Sequence, residues 1–253
     1  VGGYGILPGF LAGYAIGFLS PLVEKYLPDG LDTIIGALLL APAARLIAFA
    51  ADPVVNAAME YIGMTITAAT EQSPVIMGFL LGGIMKMICT SPLSSMALTA
   101  MLGLTGLPMG IAAIACVAGS FTNGILFARL HLGDRSNVIA VMLEPLTQAH
   151  IITRYPIPIY ASDFLGGGLA GIAAALLGIV NNAPGTASPI PGLLAPFAFN
   201  PAGKVVLALA IGAASGIFAG LVGSFVFKRF ATGEKASVKA PVQVSGTALP
   251  SKV

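Results

Sequence analysis

Apolar residues run along this chain in long blocks, and the charges fall mostly between them. Residues 3–23 form the first block, which closes at Glu24-Lys25. Residues 31–51 form a second, with Arg45 near its end, and further blocks occupy 74–90, 108–128, 158–180 and 203–227. Each approaches the ~20 residues that a helix needs to cross a bilayer. The stretch 52–74 differs, because Asp52, Asn56, Glu60 and Glu71 load it with polar groups. It predicts an amphipathic helix at the membrane interface, or one buried in protein, rather than a lipid-facing span. The run 75–128 is too long for two spans and awkward for three. Ser91-Pro92 and Thr105-Gly106 interrupt it, which predicts a span, a broken or re-entrant pair of half-helices, and a second span over 108–128. The loop RLHLGDRSN (129–137) follows, then the proline-broken 138–157, read as re-entrant, and the Pro/Gly-rich 181–201. The predicted fold is all-α: a polytopic membrane protein of about six or more transmembrane helices with re-entrant or broken half-helices. A membrane domain is expected over 1–230 and a disordered tail over 231–253, where Lys, Ser, Thr, Pro and Val take over.

Composition makes lipid the solvent. The chain is 57% hydrophobic and 9% charged, against about 25% charged in soluble domains, too little to cover a water-facing surface. Thirty-two glycines and 18 prolines, spaced by Leu, Ile, Ala and Met, point to close helix packing and broken helices rather than disorder. Tryptophan is absent, so Tyr and Phe must supply the interfacial aromatics. A net charge of +2 gives no reason to expect a nucleic-acid partner. Cys89 and Cys116 lie in apolar runs and are expected to be buried free thiols, with neither a disulfide nor a metal site, and no cofactor is expected. No charged region precedes the first apolar block, so that block is not read as a signal peptide. Lys228, Arg229, Lys235 and Lys239 place the C-terminus in the cytoplasm by the positive-inside rule. Arg129 and Arg135 fall on the same side if 138–157 does not span.

The segment LEPLTQAHIITRYPIP (143–158) gathers Glu144, Gln148, His150 and Arg154 among three prolines. An ionisable group inside a membrane costs several kcal/mol, so such groups face a cavity or a partner. Glu144 is the first candidate for contact with solute hydroxyls and for the base that takes a hydroxyl proton; the alternative is a pair with Arg154. Gln148 lies four residues on and His150 offers a proton-exchanging imidazole. Arg154 reads as a snorkelling cation. Thr90, Ser91, Ser94 and Ser95 form a second polar cluster, which serves either a ligand or helix–helix hydrogen bonding. Asn182 and Thr186 lie in the third irregular segment, where turn chemistry competes with binding. Lys86 must snorkel, line a cavity or find a partner distant in sequence. Asp163 reads as a cap or an interfacial residue. The pairs Gly167/Gly171, Gly212/Gly216 and Gly216/Gly220 permit close helix contact, and one of these faces is a candidate dimer seam.

SPLSSMALTAMLGLTGLPMGIAAIACVAG (91–119) is similar to the Ser-Pro-(Ile/Leu)-Ser-Thr and Gly-Leu-Thr-Gly region of the second family of phosphotransferase-system EIIC membrane proteins, which includes the perfringolysin O regulator-like proteins. Pro145, Gln148 and Pro156 fall at the spacing of that family's Pro-x-x-Gln…Asn-Pro segment, with Tyr155 in place of the asparagine. Gly185-Thr186, Gly192-Leu193 and Pro196 resemble its Gly-Thr-Pro…Gly-Leu-x-Gly-Pro loop. The resemblance implies a permease subunit of a bacterial inner membrane, a homodimer, that translocates a sugar or similar small polar solute. A separate IIB protein would supply the phosphoryl group of a phosphoenolpyruvate-dependent phosphotransferase, since no IIA or IIB domain lies within these residues. Two other readings stand beside it: a membrane sensor or regulator with an EIIC-like fold, and a carrier of another small solute that works without phosphorylation.

Overall fold

The structure, a computed structural model, describes residues 6–26 and 31–228. The predicted tail, with Arg229, Lys235 and Lys239, lies outside the described residues. All regular structure among the described residues is helical: α1 (Ile6–Tyr26), α2 (Leu31–Gln72), α3 (Pro74–Thr90), α4 (Ser95–Met101), α5 (Gly106–Leu130), α6 (Arg135–Leu143), α7 (Ala149–Ile152), α8 (Pro156–Leu176), α9 (Pro189–Leu194) and α10 (Ala202–Val226). Single 3-10 turns, Pro145–Gln148 and Ala195–Ala198, extend the broken regions. Helices α2, α5, α8 and α10 are long and apolar enough to cross a membrane. The 17-residue α3 and the apolar Leu7–Pro21 of α1 bring the set to six helices at or near spanning length. The chain is an all-α membrane protein.

The body is a bundle of α3, α5, α8 and α10, and small residues set its spacing. Where α3 crosses α8, a Cβ on Gly171 would stand 2.0 Å from the Gly78 carbonyl oxygen, and one on Gly82 2.4 Å from that of Gly167. The backbones touch there, so glycine is required. Between α10 and α5, a Cβ on Gly216 would lie 2.0 Å from the Ala118 carbonyl oxygen. These contacts also fix direction. Gly78 meets Gly171 while Gly82 meets Gly167, so α8 runs antiparallel to α3. Gly212 meets Ile114 and Gly216 meets Ala118, so α10 runs parallel to α5. Both glycine faces, one of them the candidate dimer seam, are therefore packed inside the chain.

The expectation for 52–74 is corrected. Helix α2 continues without a break from Leu31 to Gln72, through Pro42 and Pro53. At 1.5 Å per residue it is ~63 Å long, about twice the hydrocarbon thickness of a bilayer. A helix of that length has room for an apolar portion and a polar one, so Asp52, Glu60 and Glu71 need no separate element. A Cβ on Gly63 would lie 1.9 Å from the Leu102 carbonyl oxygen, the close contact that seats α2 on the body. Met59 and Ile66 pack beside it.

The other irregular regions follow expectation. Thr90 lies against Asn123 and Lys86 against Gly119, so α3 and α5 run parallel. The link 91–105 must therefore return along the bundle, and α4 makes part of that return. Segment 135–155 enters from the C-terminal end of α5 as α6 and turns at Glu144. It goes back through the 3-10 turn and α7 to the start of α8. Segment 181–200 enters from the opposite end. Its base is tied by the Asn181 backbone N–H, which donates to the Gly106 carbonyl (2.9 Å), and by Asn200, which donates to the Val180 carbonyl (2.7 Å) and accepts from its N–H (3.0 Å).

Candidate functional site

The two re-entrant segments meet tip to tip within the bundle. The Ser188 hydroxyl, just before α9, donates to Glu144 Oε2 at 3.4 Å. The other Glu144 oxygen accepts from the Leu146 N–H, also at 3.4 Å, so Pro145 begins the 3-10 turn beneath a half-buried carboxylate. The broken 91–105 region joins them, because Ser95 donates to the Ala187 carbonyl at 2.5 Å. Glu144 thus stands where all three irregular segments converge. Both of its contacts are long for hydrogen bonds to a carboxylate, which leaves it acceptor capacity for another donor.

The remaining candidates divide by what already occupies them. Gln148 is buried and accepts from Asn137 Nδ2 at 2.7 Å while donating to Thr147. It pins the two arms of the first hairpin together. Ser91 closes the end of α3, donating to Ile88 O and accepting from Leu93 N. Ser94 caps α4 through the Ala97 N–H. Asn182 accepts from the Gly106 N–H at 3.0 Å, and Thr186 bonds to Asn181 and the Ala183 carbonyl, so both shape the second hairpin. His150 is exposed on α7. Among the described residues, Glu144, Ser188 and Ser95 make the side-chain hydrogen bonds that join separate segments at the tips.

Beneath the tips lies a charged cluster in which the reading of Asp163 is corrected. Asp163 is neither a cap nor interfacial: it is 0% exposed and faces Lys86, also 0% exposed, with Nζ 3.9 Å from Oδ1. Lys86 stands four residues from Gly82, and Asp163 four from Gly167, so the glycine crossing of α3 and α8 brings both side chains to one depth. A Cβ on Gly119 would stand 1.6 Å from Lys86 Cε, so the missing side chain on α5 makes the channel for the lysine stem. The ion pair is longer than a hydrogen bond, and Asn123 bridges it. Its amide nitrogen faces Asp163 Oδ1 at 3.1 Å and its oxygen faces Lys86 Nζ at 3.3 Å. The reverse orientation would set an NH₂ against the ammonium and a carbonyl against the carboxylate. Thr90 lies 3.1 Å from the same amide and within hydrogen-bonding reach of Asp163. Thr90 therefore belongs to this charged network, which also borders the thiols of Cys89 and Cys116. Both cysteines are buried and free.

Ser120 is a residue that the sequence reading passed over. Among the described residues its hydroxyl is the one buried side-chain polar atom with no hydrogen-bond partner. It shares a face of α5 with Ala113, Val117 and Gly124. The Ala113 backbone packs on Gly192 of α9, and Gly124 on Met142 of α6. Ser120 therefore lies on the stripe that both hairpins cover, between their tips.

At the entry of the first hairpin, Asp134 and Asn137 form a reciprocal capping box, with both contacts 2.9 Å. The Ser136 hydroxyl and the Asn137 N–H hold the Asp134 carboxyl below its usual 3.8. A depressed pKa stabilises the fold above pH ~3.8 and loses that contribution as pH falls through the folded-state value. Hydrogen exchange at the α6 N-terminus is expected to speed up on acidification below pH ~4. In Asp134→Asn that pH dependence should vanish. Equal acid sensitivity in the variant would assign it to another group.

The family model described as "Phosphotransferase system, EIIC" matches residues 1–239 of the 253. No curated protein and no solved structure matches the chain. With nearly the whole chain matched and the membrane helices in place around it, the chain belongs to the EIIC family of the phosphotransferase system.

Proposed function

We propose that the chain is a membrane permease subunit that binds a sugar or similar small polar solute between its two hairpin tips. The observation that carries this reading is the meeting of Glu144 and Ser188 inside the bundle, on hairpins that enter from opposite ends. Broken helices at that depth present polar groups to a solute while the rest of the backbone stays paired. A sugar hydroxyl both donates and accepts. Glu144 would accept from one hydroxyl, Ser188 and Ser95 would exchange their present partners for others, and Ser120 would gain the partner it lacks. If a separate cytoplasmic IIB protein delivers a phosphoryl group, Glu144 would take the proton of the attacking hydroxyl. The tips touch in this conformation, so entry of solute requires them to part. The positive charge of Arg129 and Lys228 at one end of the bundle supports a cytoplasmic C-terminus, and family membership supports a homodimer in a bacterial inner membrane.

The test is a panel of radiolabelled sugars and polyols offered to the purified chain, in detergent for affinity and in proteoliposomes for uptake. Glu144→Gln is expected to weaken binding of the recognised solute by about 10- to 100-fold, the loss of a hydrogen bond to a charged acceptor. Ser120→Ala should weaken it by roughly 5-fold yet leave the solute-free protein at least as stable as wild type, because the hydroxyl has nothing to lose. Saturable binding that neither substitution affects would place the solute elsewhere. Failure of the whole panel to bind would favour a sensor or regulator with this fold.

A further inference from the structure

Away from the hairpins, α5 and α10 end side by side. They run parallel, and Gly220 packs on Thr122 and Ile125 while Gly223 packs on Leu126. This brings Arg129, in the last turn of α5, beside Lys228, just past α10. The two cations face one cleft of about 250 Å³, whose other walls are Ser224 and Phe225. Both cations are exposed. Among the described residues neither has a hydrogen-bond or ion-pair partner. Asp134, the acid that follows Arg129 in the chain, commits its carboxylate to capping α6.

A single cation at each helix C-terminus is ordinary complementation of the helix dipole. Two of them converging on one recess, without a carboxylate among the described residues that line it, is not required by that effect. Guanidinium and ammonium together offer eight N–H donors and two positive charges, a set that fits a phosphate. The wall beside them is apolar: Phe225 is 80% exposed and Val226 60% exposed on α10. In a membrane protein such side chains face acyl chains, and a cation pair at their polar edge meets headgroups. We infer that the Arg129–Lys228 cleft is a binding site for the headgroup of an anionic phospholipid, with its acyl chains lying along Phe225 and Val226. A zwitterionic choline lipid brings the same phosphate with a quaternary ammonium that the two cations repel. Free phosphate has the charge but nothing to place against Phe225.

The test is native mass spectrometry of the detergent-purified full chain, titrated with dioctanoyl phosphatidylglycerol, dioctanoyl phosphatidylcholine or inorganic phosphate. Phosphatidylglycerol should bind more tightly than the other two. The double variant Arg129→Gln/Lys228→Gln should bind it roughly 30-fold more weakly, from about 1 kcal/mol per cation. The charge-conserving Arg129→Lys/Lys228→Arg should keep most of the affinity, which separates lost charge from lost folding. Lys204→Gln, at the opposite end of α10, should change nothing. Equal affinity for the two lipids, or undiminished binding in the double glutamine variant, would overturn the lipid site. Inorganic phosphate that binds as tightly as phosphatidylglycerol would overturn the lipid and leave a simple anion site.

Discussion

Lys86→Met alone is expected to destabilise the protein by about 3–5 kcal/mol, and Asp163→Asn alone by a similar amount. Each leaves one charge with no counter-charge among the cluster residues of α3, α5 and α8. Lys86 and Asp163 are both fully buried, so water cannot solvate the survivor. Asn123 and Thr90 can offer it dipoles, which temper the penalty without cancelling it. The double variant Lys86→Met/Asp163→Asn should recover most of the loss, because removing both charges also removes the cost of burying them. Detergent-induced unfolding of the four proteins gives the coupling energy directly. If the double variant is as unstable as the sum of the singles, the two residues do not act as a pair. The cycle also has a functional reading. The pair lies just below Glu144, near enough for that carboxylate to act on Lys86 electrostatically. A double variant that is stable but binds solute poorly would show that the charges shape the site as well as the bundle.

The membrane class, the six apolar helices and the three broken regions were legible because each has a local cause. Block length marks a span, and Ser91-Pro92, Pro145 and the Asn-Asn-Ala-Pro-Gly run at 181–185 mark the breaks. What could not be read depends on which faces meet. Lys86 called for a distant partner, but only the crossing of α3 and α8 shows that Asp163 is it. Gly167, Gly171 and Gly216 signalled close approach without saying to what, and the partner is another helix of the same chain. Polar load suggested a separate element after residue 51, yet α2 runs on as one helix. Gln148 and Asn182 matched the chemistry of a ligand site, but in place they hold hairpins together. Ser120 failed to stand out for the opposite reason. A serine in an apolar helix ordinarily bonds back to the preceding turn, and nothing in the sequence says that this one does not. Helical spacing does put it on one face of α5 with Ala113, Val117 and Gly124, but only the packing shows that both hairpins cover that face.

Gly171→Ala should be the most damaging single-methyl addition at the α3–α8 crossing. The new Cβ would meet the Gly78 carbonyl oxygen at 2.0 Å and the Gly82 Cα at 3.1 Å. Both are backbone atoms that cannot rotate away, so the helices must separate. Overpacking of this kind costs about 1–3 kcal/mol, occasionally more. The separation also propagates: Asp163 rides on α8 two turns from Gly171, and its ion pair with Lys86 is already stretched to 3.9 Å. Moving α8 outward weakens that pair and the Asn123 bridge, so the loss should approach that of a single charge deletion. Gly13→Ala on α1 is the matched control, since a Cβ there meets nothing within 4 Å. Alanine has the higher intrinsic helix propensity, so this substitution should leave the unfolding midpoint unchanged or raise it slightly. Unfolding curves that cannot distinguish Gly171→Ala from Gly13→Ala would mean that α3 and α8 do not touch backbone to backbone. The depth match that joins Lys86 to Asp163 would then fail as well, because both rest on the same crossing.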